Sequence, residues 1–398
     1  MLSYTSFHGA QPAGRKIPDA SGSLTAALDA TPLTVSTGGV KRYTLELAAA
    51  LARCFPEDRY WLLSDQPFDL PPCSPANLQA GSEPRSAVER KWWSWGLTRE
   101  MARHSVDLFH GTDFAVPYLP RRPAVMTVHD LSPWMQVSQP ESGPEWQPDG
   151  ARVRRRTPRL LRWKLATMVI TPSQAIRRQA IERFGLNPER VVAVPLAARE
   201  WFKPVARASA GVAQESEAAP YFLFVGTLEP RKNLARLIEA WRYVRRQHAV
   251  DLVLAGRARA DFQQLQPEPG LHLLGAVADD ELPRLYSGAL AVVYPSLYEG
   301  FGLPVLEAMQ CGALVITSRD PAILEVTGGA GSASGSAAVH VDADNVHGLA
   351  EAMCAAAASC ERFAEVRQRA LVRAREFSWE STARQTREVY DAARRLFQ

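Results

Sequence analysis

Short apolar runs recur along this sequence, with helical or loop stretches between them. In the first half of the chain the runs are residues 24–30, 59–65, 106–111, 124–131, 167–173 and 191–197. Short apolar strands that alternate with helices are typical of a parallel sheet with helices packed on both faces. The pattern therefore predicts one Rossmann-like α/β domain over residues 24–203.

A polar stretch rich in Ala and Ser, residues 204–220, interrupts the alternation and is predicted to be a linker or surface loop. The apolar runs then resume at residues 221–227, 251–257, 271–277, 290–296, 313–318 and 337–342. We expect a second Rossmann-like domain over residues 221–378 and a closing helix over residues 379–398. Because ligands of parallel sheets bind at the carboxyl ends of the strands, two such domains predict a cleft between them.

The size and charge of the chain exclude several classes of protein. A chain of 398 residues is longer than one hydrophobic core usually organises, which agrees with two domains. A net charge of +4, from 46 basic and 42 acidic side chains, is too small to indicate nucleic-acid binding. No run reaches the roughly 18 uninterrupted apolar residues of a transmembrane helix.

The N-terminal residues and the cysteines predict a cytoplasmic protein. Residues 1–23 are polar, lack the apolar segment of a signal peptide, and are expected to form a flexible extension. The five cysteines show neither a CxxC pair nor the regular spacing of a disulfide framework. Both observations suit a reducing cytosol.

Positive charge is concentrated in residues 1–200, which carry 25 basic and 19 acidic side chains. Its densest part, residues 152–164, has seven basic residues and no acidic one. This stretch is either a solvated helix face or a surface that contacts anionic lipid head groups or a lipid-linked acceptor at the inner face of the cell membrane. The aromatic cluster Trp92, Trp93 and Trp95 suits a membrane interface and a buried core equally.

The segment 291–318 has the most specific pattern in the chain. A strand is expected to end near Tyr294, and Pro304 stands where a helix would begin. The turn between them is Glu299, Gly300, Phe301 and Gly302. Glycines let the backbone approach a ligand, and a helix N-terminus favours an anion. Glu307 follows Glu299 by eight residues, so the two carboxylates can reach one bound molecule from different sides.

A second segment, residues 224–241, supplies cations. Gly226 ends a strand, and Arg231 and Lys232 fall where the next helix begins, with Asn233 as a possible N-cap. Arginine binds phosphate as a fork and lysine acts as a point charge, so the pair suits a diphosphate. Fixed cations also lower the barrier for a leaving group that gains negative charge. Lys232 is the one lysine among residues 204–398.

These two segments resemble the retaining glycosyltransferases of family 4, which have the GT-B fold of two facing Rossmann-like domains. The resemblance implies that Glu307 binds the ribose hydroxyls of a sugar nucleotide, and that Glu299 with the Phe301 and Gly302 amides holds the sugar and phosphate. It also places a donor-binding loop at Gly38 and Gly39, and implies that the closing helix braces the first domain. The predicted donor-binding set is Gly38, Gly39, Gly226, Arg231, Lys232, Gly256, Val277, Glu299, Gly300, Phe301, Gly302, Leu303 and Glu307.

Histidines at strand ends are the remaining candidates for catalytic residues. His129, followed by Asp130, ends a strand that should face the cleft, and the family often has a histidine near the sugar or the acceptor there. His110 is a similar but weaker case, and a structural role is the usual one for such histidines. Glu325 matches a family position, although an ordinary helix glutamate explains it as well. The predicted catalytic set is Glu299, Arg231, Lys232 and His129.

The resemblance implies a retaining transferase that needs no metal and no other cofactor. It would move a hexose from a nucleoside-diphosphate sugar to a hydroxyl of a saccharide or lipid-linked acceptor, in assembly of cell-surface polysaccharide, lipopolysaccharide or glycolipid. Two alternatives stay open. Glu299 and Glu307 could be the paired carboxylates of a retaining glycosidase, about 5 Å apart, or the chain could be a carbohydrate-binding or scaffold protein without turnover.

Overall fold

The computed structural model describes residues 23–34, 38–135, 148–205, 219–259, 262, 265–329, 335–359 and 361–397. Residues 1–22 of the predicted N-terminal extension and most of the predicted linker lie outside these residues. For residues 148–150 the backbone alone is described.

The first sheet contains seven parallel strands in the order β3-β2-β1-β4-β5-β6-β7. The strands are β1 (Thr25–Asp29), β2 (Arg59–Leu63), β3 (Leu78–Ala80), β4 (Leu108–Gly111), β5 (Ala124–Thr127), β6 (Met168–Thr171) and β7 (Val191–Ala193). Strands β4, β5 and β6 are buried along their whole length. Burial on both faces explains why they appear in the sequence as continuous apolar runs.

The second sheet contains six parallel strands in the order β10-β9-β8-β11-β12-β13. The strands are β8 (Tyr221–Val225), β9 (Asp251–Ala255), β10 (Leu271–Gly275), β11 (Ala291–Tyr294), β12 (Val315–Ser318) and β13 (Val339–Val341). The predicted class of two Rossmann-like domains is confirmed. In both sheets the chain leaves a central strand and resumes on its other side, at β1/β4 and at β8/β11. Such a reversal opens a crevice at the carboxyl ends of the strands.

Helices connect the strands in both domains. Those described in the first domain are α1 (Gly39–Cys54), α2 (Leu97–Arg103), α3 (Pro148–Arg162) and α4 (Gln174–Phe184). Those described in the second are α5 (Leu234–Arg245), α6 (Leu282–Gly288), α7 (Leu303–Gln310), α8 (Pro321–Thr327), α9 (Val346–Ala358) and α10 (Ala364–Ala374). The last helix is α11 (Trp379–Leu396).

Helix α11 follows the second domain in sequence but packs on the first. The Tyr390 hydroxyl lies 2.8 Å from His110 Nδ1, and Arg387 Nε donates to the Asp58 carboxylate at 2.7 Å. Its N-terminus is capped by Ser378, whose hydroxyl accepts from the Ser381 amide. Two polar contacts thus fasten α11 to β4 and to the residue before β2 in the first domain.

The bounds and burial of three elements differ from the sequence prediction. Strand β3 was not predicted, because only Leu78 of its three residues is buried and no apolar run marks it. Helix α1 begins at Gly39, within the stretch predicted as a loop. Strand β10 was expected to be a buried strand but lies at the sheet edge, with residues 272–275 exposed.

Candidate active site

A cleft of about 800 Å³ lies between the two domains, at the carboxyl ends of both sheets. Every residue of the predicted catalytic and donor-binding sets lines it. The loops after β1 and β5 approach from the first domain, and those after β8, β9 and β11 from the second. The structure therefore brings the predicted residues together, and their roles in binding and catalysis stay predictions.

Lys232 and Glu299 form a buried ion pair at the centre of the cleft. Lys232 Nζ lies 2.5 Å from Glu299 Oε1 and 2.6 Å from the Tyr294 hydroxyl, to which it donates. Burial alone would raise the pKa of Glu299, but Lys232 and Arg231 hold it below the ordinary glutamate value. Glu299 is therefore an anion that positions two cations.

Arg231 is the second of these cations and stands nearer the surface than Lys232. It donates to Glu299 Oε2 at 3.2 Å and to the Tyr298 carbonyl at 3.0 Å, and pairs with Glu229 at 2.8 Å. Both cations belong to a short 3-10 turn, Pro230–Lys232, that follows the carboxyl end of β8. Both cations line the cleft and are held there by buried carboxylates.

Asn233 occupies the N-cap position of α5, but its side chain does not cap the helix. Its φ of 60° is left-handed, and its side-chain amide donates to the carbonyls of Pro295 and Ala343. The prediction that the Asn233 side chain caps α5 is therefore wrong. The residue instead ties the turn that carries the two cations to the loop after β11.

Glu307 is held from two sides. Its Oε1 accepts from the Arg42 guanidinium, and its Oε2 accepts from the Tyr286 hydroxyl at 3.0 Å. Burial raises the pKa of Glu307, and Arg42 opposes that rise. Arg42 belongs to α1 of the first domain, whereas Glu307 lies on α7 of the second, so the pair bridges the cleft.

Further ion pairs extend this bridge. Arg42 also donates to Asp279 at 2.7 Å, and the other carboxylate oxygen of Asp279 accepts from Arg199. Arg199 in turn pairs with Glu46 on α1 at 2.5 Å. None of these four residues was singled out from the sequence, because the residues of each pair lie 80 or more positions apart in the chain.

His129 faces the cleft from the end of β5. Its Nε2 donates to the Thr112 carbonyl at 2.7 Å, which leaves Nδ1 as the acceptor of the neutral ring. The ring packs edge-on against Tyr43, with centroids 4.8 Å apart. Asp130 does not orient this ring, because its carboxylate accepts from the backbone and hydroxyl of Ser132.

His110 has a structural environment, as the alternative interpretation held. It is fully buried between Tyr390 and the Thr127 hydroxyl, each 2.8 Å away. Burial lowers its pKa to about 3, so the ring is neutral at physiological pH. It does not line the cleft.

Glycines shape the loops that line the cleft. Gly256 has φ +151°, and a Cβ built on it would lie 1.8 Å from the Gly226 carbonyl oxygen. A Cβ on Gly300 would lie 2.1 Å from the His129 carbonyl oxygen, across the cleft. Glycine at both positions is therefore required by the close approach of backbone, whether or not a ligand is present.

The loop that carries Glu299 is fastened to the first domain. The Ser173 hydroxyl donates to the Gly300 carbonyl at 2.8 Å, and the Tyr298 hydroxyl accepts from the Leu131 amide at 2.8 Å. Glu325 on α8 likewise accepts from the amides of Gln174 and Ala175, at 2.7 and 2.6 Å, and so caps α4 of the first domain. Glu325 is thus an interdomain contact outside the cleft.

Two family models match the chain. The one described as Glycosyltransferase Family 4 matches residues 37–198, and the one described as Glycosyl transferases group 1 matches residues 208–370. The first match contains most of the first sheet and the second contains the whole of the second sheet.

Individual proteins give the same result. O-antigen chain mannosyltransferase B of Escherichia coli is 33% identical over 299 residues, which are 71% of this chain and 74% of that protein. A serotype-specific mannosyltransferase of Escherichia coli is 28% identical over 240 residues, 56% of this chain and 29% of that protein. The solved structure of sucrose-phosphate synthase from Thermosynechococcus elongatus superimposes with a TM-score of 0.69 at 20% identity, covering 93% of this chain and 98% of that one.

Proposed function

The chain belongs to the family 4 glycosyltransferases. From that premise we propose that it transfers mannose from a nucleoside-diphosphate mannose to a hydroxyl of a saccharide acceptor, with retained anomeric configuration. The proposed setting is the assembly of O-antigen or a related cell-surface polysaccharide at the cytoplasmic side of the membrane. The observation that carries the proposal is the 33% identity to an O-antigen mannosyltransferase across 74% of its length.

In the proposed reaction the second domain binds the donor. Glu307 takes the ribose hydroxyls, and Arg231 and Lys232 take the diphosphate together with the N-terminus of α7. The bond between the anomeric carbon and the diphosphate oxygen breaks as the acceptor oxygen bonds to that carbon on the same face. The acceptor proton passes to a diphosphate oxygen, so no protein base is required.

The cleft supports this assignment through its charge. Arg231 and Lys232 are already fixed by Glu299 and the Tyr294 hydroxyl, so neither must be reorganised when the leaving group gains charge. Preorganised charge of this kind is the largest contribution to many enzymatic rate enhancements. In the proposed reaction Arg231 and Lys232 also neutralise the diphosphate charge, as a divalent ion does in other transferases.

Family membership sets aside the two alternative functions. The chain is a glycosyltransferase, so neither the hydrolase nor the silent carbohydrate-binding interpretation is retained. The contacts of the two glutamates agree, since Glu299 is held by two cations and Glu307 by Arg42 and Tyr286. Neither carboxyl is arranged as an acid poised to protonate a leaving glycoside.

A transfer assay with a panel of donors tests the proposal. The full chain is incubated with GDP-mannose, UDP-glucose or ADP-glucose and a mannose-terminated oligosaccharide, and the product linkage is read by NMR. We expect transfer from the mannose donor alone, with retained configuration. Transfer of glucose but not mannose, an inverted product, or donor hydrolysis that ignores the acceptor would each overturn it.

We further propose that a lipid-linked acceptor reaches the enzyme over the basic face of α3. Five arginines of this helix are exposed: Arg152, Arg154, Arg155, Arg159 and Arg162. Trp163, which follows the helix, is 65% exposed, the largest value among the described bulky apolar side chains. Arg156 stacks on Trp93, which connects α3 to the aromatic segment whose Trp95 is 46% exposed. Cations beside exposed tryptophans suit an anionic membrane surface.

The described parts of the chain contain no helix that could span a membrane. The contact proposed here is one between the α3 surface and lipid head groups. Flotation with phosphatidylglycerol or phosphatidylcholine vesicles tests it. We expect binding to the anionic vesicles alone, lost at high salt and in the triple variant Arg152, Arg155 and Arg159→Glu. The matched control changes three exposed arginines elsewhere, Arg284, Arg375 and Arg395→Glu, and should still bind. Equal loss in both triple variants would contradict a specific surface.

A further inference from the structure

Arg42 reaches across the cleft from the first domain to Glu307, the carboxylate that we propose binds the ribose hydroxyls. It is the fourth residue of α1, and its guanidinium forks between Glu307 and Asp279 of the second domain. We propose that Arg42 is a positioning residue that keeps Glu307 charged, so that the ribose site is complete only when the two domains are closed. This inference rests on the proposed donor site.

The acceptor capacity of Glu307 matches this role. An ionised carboxylate offers about four lone-pair positions on its two oxygens. Arg42 occupies one position on Oε1 and the Tyr286 hydroxyl occupies one on Oε2. One position remains on each oxygen, and a ribose presents two neighbouring hydroxyls. Arg42 therefore does not have to leave when the nucleotide binds.

Burial makes the charge of Glu307 dependent on its neighbours. The side chain is 2% exposed, and this burial raises the pKa of Glu307. Arg42 is the strongest opposing influence, followed by the hydrogen bond from Tyr286. Asp279 raises the pKa and Arg199 lowers it, each less than Arg42 does. Of these groups, Arg42 and Arg199 belong to the first domain and move away when the cleft opens.

Opening of the cleft therefore weakens the ribose site. Without Arg42 the carboxyl protonates at a higher pH, and a protonated Glu307 has fewer acceptor positions for hydroxyls. Donor binding favours the ionised form of Glu307. The ionised Glu307 in turn favours the closed arrangement, in which Arg42 pairs with it. By linkage, closing must then favour donor binding to the same extent.

Calorimetric titration of Arg42 variants tests the inference. The probes are the nucleoside diphosphate, among GDP, UDP and ADP, that binds the wild-type chain, and its 2′,3′-dideoxy analogue. Arg42→Gln should weaken the ribose form by about tenfold or more, the usual effect of losing a charged hydrogen-bond partner. It should weaken the dideoxy form by less than about threefold, because that form makes no contact with Glu307. Arg42→Lys should lie between the wild-type chain and Arg42→Gln.

Arg199→Gln is the matched control. Arg199 is also a half-buried arginine that bridges the domains through Asp279, but it makes no hydrogen bond to Glu307. Its replacement should change the ratio of the ribose-form affinity to the dideoxy-form affinity much less than Arg42→Gln does, because Arg199 affects the pKa of Glu307 less than Arg42 does. If Arg42→Gln weakens both forms equally, Arg42 merely holds the domains together and the inference is wrong.

The pH dependence of binding gives a second readout. Affinity needs ionised Glu307, so it falls as the pH drops through the pKa of that group. In Arg42→Gln this loss should occur at a higher pH than in the wild-type chain, and affinity should recover at alkaline pH. An unshifted pH profile would contradict the inference. Failure of every nucleoside diphosphate to bind the wild-type chain would instead overturn the proposed function.

Discussion

At the scale of single residues, the centre of the cleft contains charged groups that are buried and paired. Among the described residues that line it, seven lysine and arginine side chains face five carboxylates. Lys232 and Glu299 are both almost fully buried. Burial of charged groups costs desolvation free energy, and such groups cluster at functional sites. The excess of cations leaves room for the negative charge of a diphosphate.

Removal of the central cation should slow catalysis as well as weaken nucleotide binding. We expect Lys232→Met to lower kcat by about 10²–10³-fold, because a fixed charge that acts on the leaving group is lost. Lys232→Arg should retain part of the rate. Steady-state kinetics with circular dichroism as a check of folding measures this. A loss confined to KM would show that Lys232 binds substrate without favouring the transition state.

A buried carboxyl outside the cleft should give the fold a distinct pH dependence. Burial raises the pKa of Asp29 from 3.8 to about 7. Between these values the unfolded chain has released a proton that the folded chain retains, so stability falls as the pH rises. Asp29→Asn removes this loss, and its stability relative to the wild-type chain should increase by about 2 kcal/mol from pH 5 to pH 7.

Thermal unfolding of the two proteins at both pH values measures this difference. Asp320 and His110, whose pKa values are also shifted, are common to both proteins and cancel in the comparison. A stability difference that does not change with pH would show that Asp29 is ionised in the folded chain.

At the scale of elements, the alternation of apolar runs was sufficient to locate all but one of the strands that are described. Each predicted run contains a strand. For the buried central strands the reason is that both faces need apolar side chains. The site loops were also predictable, since glycines and charges at strand ends are local patterns. The ion pairs of Arg42, Arg199 and Asp279 could not be predicted. Their pairing depends on how the two domains face each other, and no local sequence pattern contains that information.

The contact of α11 with the first domain should be worth several kcal/mol. Arg387→Ala leaves Asp58, which is 5% exposed, without its cation. Loss of one partner of a buried pair costs about 3–5 kcal/mol, so we expect a clear drop in melting temperature. On the same helix, Arg384 forms an exposed pair with Glu380, and Arg384→Ala should leave the melting temperature nearly unchanged. Similar melting temperatures for the two variants would contradict this account.

At the scale of the whole molecule, two domains of similar architecture meet through a few defined contacts around one cleft. Gly300 packs on the His129 backbone, Ser173 binds the Gly300 carbonyl, and Glu325 caps α4. These contacts place the loop that carries Glu299 against the first domain. The length of the chain is thus explained by a site that neither domain contains alone.

A side chain at residue 300 should separate the domains. Gly300→Val puts a Cβ where the His129 carbonyl stands, and misplacement of reacting groups by an ångström can cost about 10²-fold in rate. We expect a loss of that order in kcat/KM while both domains stay folded by circular dichroism. The control is Gly329→Ala, where a new Cβ meets only Leu324 at an ordinary 3.8 Å. Full activity of Gly300→Val would mean that the closed arrangement is not the active one.

The melting temperature of the full chain in the presence of UDP, GDP and ADP tests the central claim most directly. A ligand that binds the folded chain alone raises this temperature by mass action. We predict that one of the three nucleotides produces a clear rise in the wild-type chain and a much smaller rise in Lys232→Met. No rise with any of the three, or an equal rise in both proteins, would contradict a donor site at Arg231, Lys232 and Glu307.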